Sequence, residues 1–475
     1  MEPVPLSAAD IAAAAGGRVT HGEPATAIGR IAIDSRTLSA GDFFVAIKGE
    51  RFDGHTFVAG ALERGAIGVL VQEASEAIGL VVAKGGAGRA APVVIEVKDT
   101  TRALQDVARD VRRRAGTRVV AITGSAGKTT TKEVAAEFLD ARYRVFRNKG
   151  NLNNHIGLPL SLLELRARPE VAVVELGMNH PGEIRTLVGI AEPELRVWTN
   201  VGDAHLGFFA SPDAIADAKA EIMEHARPDD VLVANANDAR VMSRAQSFTG
   251  RVVTFGIDAN ADVAATHVAH RGLGGTTAHI ATPRGEGEIA IPLLGLGNLS
   301  NVLAAAAVAL EFDVPVSQII ERAAGLRPAT HRGELLRLPG GITLVDDSYN
   351  SSPSALRQAL STIGASEGCA RRVAVLGEML ELGAHAVRLH EACGRAAAAA
   401  GLDVLITVGG APAGAMAAAA IAAGMHDDKV THVPTREDAA ELALTRVRPG
   451  DLVLVKGSRG IGTDLVVDRL KAEFA

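Results

Sequence analysis

Cysteine is nearly absent from this chain. Cys369 and Cys393 are the only two among 475 residues, too few for a disulfide framework or a four-ligand zinc site, and the count suits a reducing compartment. Aromatic residues are scarce as well, at 3%, so the core must be built from Ala, Val, Leu and Ile, as suits sheets covered by helices. No basic tract stands out against a net charge of −6, which argues against nucleic acid as a partner. The Ala-rich runs at 396–401 and 415–424 are too short to span a membrane. The opening MEPVPLSAADIAAAAGG lacks the basic start and apolar run of a signal peptide. These absences give the expectation of a cytoplasmic protein, with a monomer as the default state.

What is present is the composition of a globular protein, with 47% hydrophobic and 22% charged residues, over a length that implies two to four domains. Residues 1–98 carry short apolar runs, FFVAI (43–47), IGVLV (67–71), LVVA (80–83) and PVVIEV (92–97), and read as a small α/β domain. A second domain is expected over 99–327. There a helix near 101–115 leads to the strand RVVAIT (118–123), and VAVVELG (171–177), RVWTNVG (196–202) and VLVANAN (231–237) follow. Continuous apolar runs alternating with helical stretches predict a mostly parallel sheet with helices on both faces. The alternation over 251–294 predicts antiparallel strands appended to it, and 323–336 reads as a hinge. Over 328–475, ITLVDDS, RRVAVLGEM, DVLITVGG, KVTHVP and DLVLVKGS, each followed by a helical segment, predict a Rossmann-like doubly wound domain without the Gly-x-Gly-x-x-Gly signature.

The strongest local signal is TGSAGKTTTKE, Thr123–Glu133. The common phosphate-binding loop has a glycine five residues before its Gly-Lys-Thr. Here Ile122 holds that place, and the first glycine is Gly124, three before Gly127. A strand delivers the loop, Thr123, Gly124, Ser125, Ala126 and Gly127, and a helix is expected from Lys128. Backbone N–H groups and the positive end of that helix then face an anion. Lys128 adds a point charge for the β- and γ-phosphates of ATP, and the hydroxyl of Thr129 suits Mg²⁺. The plain reading is an ordinary strand–helix turn, and Gly-x-x-Gly-Lys-Thr-Thr after an apolar strand argues against it. A Mg²⁺–phosphate site wants hard oxygen ligands at the ends of neighbouring strands. Glu175 and His205 sit at such places, although each alone reads as a polar strand terminus. Lys219, in DAKAEIM, reads from composition as a solvated helical lysine.

With these residues placed, the chain resembles the Mur ligase family, ATP-dependent amide-bond ligases of peptidoglycan precursor synthesis, essentially from end to end. The short loop TGSAGKTT is that family's form of the motif. Four stretches narrow the resemblance: DSRTLSAGDFFVAIKGERFDGHTF (34–57), NLNNHIGLPLSLL (151–163), DDSYNSSPSAL (346–356), and LGEMLELG (376–383) with His390 and VKGSRG (455–460). The first is shared with a sister ligase, and the others are specific in combination. The resemblance implies that ATP and Mg²⁺ serve to join D-alanyl-D-alanine to a UDP-N-acetylmuramoyl-tripeptide. It gives Lys128 and Thr129 to phosphate and Mg²⁺, and Glu175 and His205 to the metals. Lys219 matches a carbamylated lysine, and Asn301 an adenine-contacting asparagine. Arg332 matches an arginine reaching the γ-phosphate from the hinge, and Asp346 or Asp347 holds the ribose. The first domain, with Ser35 and Arg36, holds the UDP end of the substrate. Asn151, Asn153, Asn154, Tyr349 and Asn350 line the substrate path, and Lys456 and Arg459 suit a carboxylate. The sequence departs from the family pattern at Gly297, at His155, at Ser351-Ser352 and in GIGTDLVV (460–467).

The same residues have plainer readings. The asparagines at 151, 153 and 154 are ordinary turn and cap residues. Asp346 and Asp347 could cap the helix expected near Ser352. Ser35-Arg36 could be a surface turn, and Lys456 and Arg459 could be solvated. Rival functions are a sister ligase adding the third amino acid, a folylpolyglutamate synthase, or, in another class, a P-loop switch.

Overall fold

The computed structural model describes residues 2–49, 52–72 and 91–474, so the expected strand LVVA lies outside the described residues. The strands form three sheets. The first has the order β1-β5-β4-β3-β2, with β1 Arg18–His21, β2 Ile31–Ala32, β3 Phe43–Val45, β4 Gly68–Gln72 and β5 Val93–Val97. Strands β2 to β5 pair in parallel, and β1 closes an edge antiparallel to β5. Phe43 and Phe44 are fully buried in it.

Helix Thr100–Ala115 follows. Asp99 caps its start by accepting from the Arg102 amide, and Gly116 ends it in the left-handed conformation that glycine adopts without strain. The second sheet contains β6 Arg118–Thr123, β7 Val145–Arg147, β8 Val171–Glu175, β9 Leu195–Trp198, β10 Val231–Asn235, β11 Arg251–Ile257, β12 Val263–His270, β13 Thr276–Thr282 and β14 Gly285–Ile291. Its order is β14-β13-β12-β11-β10-β9-β6-β8-β7. The expectation for 251–294 holds only in part. β11 pairs in parallel with both β10 and β12, and the antiparallel pairs are β12–β13 and β13–β14. A strand's own alternation reports which faces are buried, not the direction of its neighbour.

The third sheet has the order β15-β16-β20-β17-β18-β19, with β15 Glu334–Leu338, β16 Ile342–Asp347, β17 Arg371–Gly377, β18 Val404–Val408, β19 Val430–Val433 and β20 Asp451–Lys456. Strands β16 to β20 are parallel, and β15, part of the stretch expected as a hinge, is an antiparallel edge strand. Val373, Val375, Ile406, Val453 and Val455 form its core with Val466, Val467 and Leu470 of helix Asp464–Glu473. Each such side chain contributes about 1.5–3 kcal/mol on burial. A three-domain α/β fold with three sheets of mostly parallel strands is thus observed. No helix among the described residues is long and apolar enough to cross a membrane.

Tertiary contacts group the chain into two compact units, residues 1–121, 143–178 and 182–194 in one, and 122–142, 179–181 and 195–475 in the other. Candidate residues occur in both units.

Candidate active site

In the second unit, the chain leaves Thr123 at the end of β6, turns through Gly124–Gly127 and enters helix Lys128–Leu139. Both glycines are required. Gly124 has φ +150° and Gly127 φ +82°. A Cβ on Gly124 would stand 1.9 Å from Thr199 Oγ1, and one on Gly127 2.1 Å from Asn301 Oδ1. The shortened loop is stitched to the exit of β9. Ser125 N donates to Asn200 O at 3.0 Å, and Ala126 N to Asn200 Oδ1 at 2.9 Å. The Ala126 carbonyl accepts from Thr199 Oγ1 at 2.7 Å and Asn200 Nδ2 at 3.0 Å. Asn235 of β10 in turn holds Thr199 O, and Asp238 holds Val201 N, each at 2.7 Å.

This bracing corrects one expectation. The Ser125 and Ala126 amides are spent on Asn200, so the anion-facing role falls to the N-terminus of helix Lys128–Leu139, where the peptide dipoles converge. Lys128 Nζ folds back onto Gly124 O at 2.9 Å. Thr199 and Asn200 were not singled out in the sequence, although the polar pair ending RVWTN is its visible trace. Asn301, on the Ala-rich helix Leu296–Glu311, is 8% exposed and accepts from Thr131 Oγ1 at 3.3 Å. Its side chain therefore lies against the loop and the helix that follows it.

Lys219 corrects the compositional reading outright: it is 1% exposed, near the end of helix Pro212–Ala220. His205 has a left-handed backbone, φ +67°, and its Nδ1 lies 2.7 Å from Glu381 Oε2. The hydrogen bond from His205 holds the Glu381 carboxyl below the usual carboxylate range, so the carboxylate accepts and Nδ1 donates. Glu381 sits in the stretch 376–383, which is pinned along its length. Glu378 Oε2 accepts from Gly410 N at 2.6 Å. His390 Nε2 accepts from Met379 N at 2.9 Å while its Nδ1 donates to Ala386 O at 2.7 Å. Leu380 N donates to Ser458 Oγ at 2.9 Å. Burial depresses the basicity of His390, consistent with a neutral imidazole in that double role.

At the ends of β16 and β20, Asp346 is 2% exposed. One of its oxygens takes His331 Nδ1 at 2.6 Å, and the other takes Ser348 N and Oγ at 3.2 and 2.6 Å. Asp347 Oδ2 accepts from Lys456 Nζ at 2.6 Å, and that ammonium also donates to Asn350 O at 3.0 Å. The capping alternative for the two aspartates fails, because helix Pro353–Gly364 starts from Ser352 with no side-chain cap. The solvated reading of Lys456 fails as well, at 3% exposure. Two guanidinium groups approach the Tyr349 ring, with Arg332 Cζ 4.2 Å and Arg459 Cζ 5.4 Å from its centre. Arg459 is exposed and also donates to the Tyr349 hydroxyl at 3.3 Å.

In the first unit, Glu175 ends β8, the neighbour of β6, and is 4% exposed. Asn153 Nδ2 donates to its Oε1 at 2.8 Å. Asn148, which the motif reading passed over, accepts from Glu175 N and donates to Leu152 O. The asparagine stretch thus orients a carboxylate. Asn154 Oδ1 is spent on the Ile156 and Gly157 amides at the start of helix Gly157–Leu163, as the turn-and-cap reading has it, whereas Asn151 is exposed. Ser35 is half-buried. Arg36 is exposed and forks onto Asp34 at 2.8–3.0 Å, holding that carboxyl near pKa 2.

Among the described residues, no three His, Cys, Asp or Glu side chains gather into a metal cluster. The expected donors Thr129, Glu175, His205 and Lys219 are thus a sparse, mixed set. Mg²⁺ bound at such donors would complete its shell with waters and phosphate oxygens rather than an all-protein cage.

A strand, a glycine turn fixed by close contacts and a helix N-terminus bearing Lys128 define a phosphate-loop, nucleotide-binding α/β protein. Family models agree along the chain: "Mur ligase family, catalytic domain" matches residues 27–112, "Mur ligase middle domain" 122–309 and "Mur ligase, glutamate ligase domain" 331–459. The UDP-N-acetylmuramoyl-tripeptide–D-alanyl-D-alanine ligase of Bacillus subtilis is 34% identical over 94% of this chain and 93% of its own length. A crystal structure of MurF from Acinetobacter baumannii superposes with TM-score 0.86 at 31% identity, over 99% of this chain and 100% of that one. MurF ligase from Thermotoga maritima in complex with ADP gives 0.80 at 28%, over 94% and 97%. The chain belongs to the Mur ligase family.

Proposed function

We propose that the protein joins D-alanyl-D-alanine to a UDP-N-acetylmuramoyl-tripeptide at the expense of ATP, which becomes ADP and phosphate. Full-length similarity to a ligase of that name supports the reading. The observation that carries it in the geometry is the pairing of a braced phosphate loop with the Tyr349–Arg332–Arg459 and Asp347–Lys456 groups of one compact unit. A switch protein would need the first and have no use for the second.

The γ-phosphoryl group moves to the terminal carboxylate of the tripeptide. The bond to the ADP oxygen breaks, and the new P–O bond makes an acyl phosphate. Two anions must meet, and Lys128 and Arg332 neutralise the charge that develops. Mg²⁺, held through Thr129, Glu175 and His205, would supply further charge neutralisation. Lys219 is buried. Carbamylation would turn it into an anion able to orient Mg²⁺. The amine of the dipeptide then attacks the acyl carbon, phosphate leaves, and the proton goes to solvent. A free α-amino group titrates at about 7.7–8.0, so no dedicated strong base is needed.

Asn301 stays on the adenine side while also supporting the loop. Asp347 is the better candidate for the ribose, because both oxygens of Asp346 are already engaged. Ser35 and Arg36 belong to the UDP end, Asn151 and Asn350 to the peptide path, and Lys456 and Arg459 to the acceptor carboxylate. The domains are 1–98, 99–327 and 328–475, in a cytoplasmic monomer. The test is phosphate release from ATP with UDP-muramoyl-tripeptide plus D-Ala-D-Ala, single amino acids, or nothing. Release only with both substrates, giving the UDP-pentapeptide, is expected. Release with a single amino acid and a shorter UDP-peptide would move the assignment to a sister ligase, and release regardless of acceptor would restore the switch.

A further inference from the structure

Segment 205–207 of the loop-bearing part of the second unit meets segment 381–383 from the third sheet at unusually short range. The His205–Glu381 side-chain bond of 2.7 Å is one strand of this contact. The other is backbone: Gly207 N donates to Glu381 O at 2.7 Å. A Cβ on Gly207 would stand 2.9 Å from both Glu381 O and Gly383 N, and one on Gly383 2.8 Å from Gly207 Cα. Neither position admits a side chain without moving the two segments apart.

His205 and Glu381 both hold left-handed backbones, φ +67° and +64°. For residues other than glycine that conformation is unfavourable, and it persists where the surroundings impose it. Stability does not account for the arrangement. The two side chains are 21% and 43% exposed, and exposed pairs of this kind add little. Glu381 also rides on a rigid mount, since Glu378, Met379 and Leu380 before it are tied to Gly410, His390 and Ser458.

We propose that Glu381 is a positioning residue for His205: its carboxylate holds the proton on Nδ1 and turns Nε2 outward as the metal-facing lone pair. A carboxylate behind a ligating imidazole fixes the tautomer and ring orientation and raises the basicity of the far nitrogen. Because Glu381 lies on the loop that follows β17 of the third sheet, His205 is aimed only while segment 381–383 stands against Gly207. The presence of the dipeptide-binding sheet is thereby reported to the phosphate site. The inference rests on the reading of His205 as a metal-site residue.

Two readouts test it. In ¹⁵N-histidine-labelled protein at pH 8, the His205 resonances, assigned by their loss in His205→Ala, should show the Nδ1–H form. Glu381→Ala should shift them to the Nε2–H form, and Glu381→Gln, whose amide oxygen still accepts, should preserve the wild-type form. In calorimetric titrations of Mg²⁺ into the ADP complex, Glu381→Ala should weaken Mg²⁺ by about 10–100-fold, with ADP affinity in the absence of Mg²⁺ unchanged. The double variant His205→Ala/Glu381→Ala should then be no weaker than His205→Ala alone. An unchanged tautomer in Glu381→Ala, or unchanged Mg²⁺ affinity where His205→Ala weakens it, overturns the role of Glu381 alone. Unchanged Mg²⁺ affinity in His205→Ala itself overturns both this inference and the metal reading beneath it.

Discussion

Asn200 does more for the phosphate loop than any residue inside it apart from the two glycines. Its carbonyl, Oδ1 and Nδ2 meet Ser125 N, Ala126 N and Ala126 O. Asn200→Ala removes two of these bonds and leaves the Ala126 amide without its acceptor, while the carbonyl keeps Thr199 Oγ1, at a cost of about 1–3 kcal/mol. We expect ADP to bind about ten-fold more weakly to this variant by calorimetry, with the fold intact by circular dichroism. Unaltered affinity would mean the loop holds its shape by itself. The cysteines make a second prediction at this scale. Cys393 is fully buried, and desolvation pushes its thiol up to about pKa 11, whereas Cys369 is half-buried. At pH 7.5 the reactive thiolate of Cys393 is scarce by about three orders of magnitude. Iodoacetamide followed by peptide mass spectrometry should label Cys369 alone in the native protein and both residues in denaturant.

Elements were legible where one run of residues decided the outcome, and hidden where partners far along the chain did. Strand RVVAIT and helices Thr100–Ala115 and Lys128–Leu139 fall where their apolar runs and caps put them. The edge strand β15 reads as hinge in the sequence because Glu334–Leu338 (ELLRL) gives no sustained period-two signal. Lys219 was invisible because burial is conferred by what packs over a helix, not by the helix's own composition. Asn153 and Asn154 look alike in sequence, yet one orients Glu175 and the other caps a helix, a division that only the fold makes. The stretch 376–383 carries a prediction of its own. The imidazole of His390 binds protons less readily folded than unfolded. Below about pH 6.5 the unfolded chain therefore takes up the proton first, and stability falls as pH drops toward the depressed folded pKa. Thermal midpoints measured from pH 8 to 5 should decline in the wild type and decline less in His390→Gln. Parallel curves would remove His390 from the account.

For the whole molecule, the arrangement assigns different kinetic signatures to different sheets. Arg332 lies two residues before β15 and its guanidinium stands over the Tyr349 ring, outside the braced loop 123–127. Arg332→Ala should therefore lower kcat by about 10²–10³-fold while KM for ATP moves by no more than about a few-fold, the pattern of an interaction made in the transition state. Steady-state kinetics with both acceptor and donor saturating would decide. A rise in KM at constant kcat would make Arg332 a binding residue. The family and the three α/β sheets were readable from motifs spread over the whole chain, whereas Glu381, which ties the loop after β17 to His205, belongs to no motif of the phosphate site.

The bracing of the loop by Thr199 and Asn200 also bears on how such sites are transplanted. A loop two residues shorter than the common form, whose Gly124 leaves 1.9 Å for any Cβ before Thr199, is not a portable motif. Grafting TGSAGKTT onto another strand–helix junction would carry the letters and leave the scaffold behind. Conversely, lengthening the loop here would drive it into the exit of β9. The unit of exchange is the pair of segments, 123–129 with 198–201, and chimaeras that swap both together should bind nucleotide where those that swap one should not.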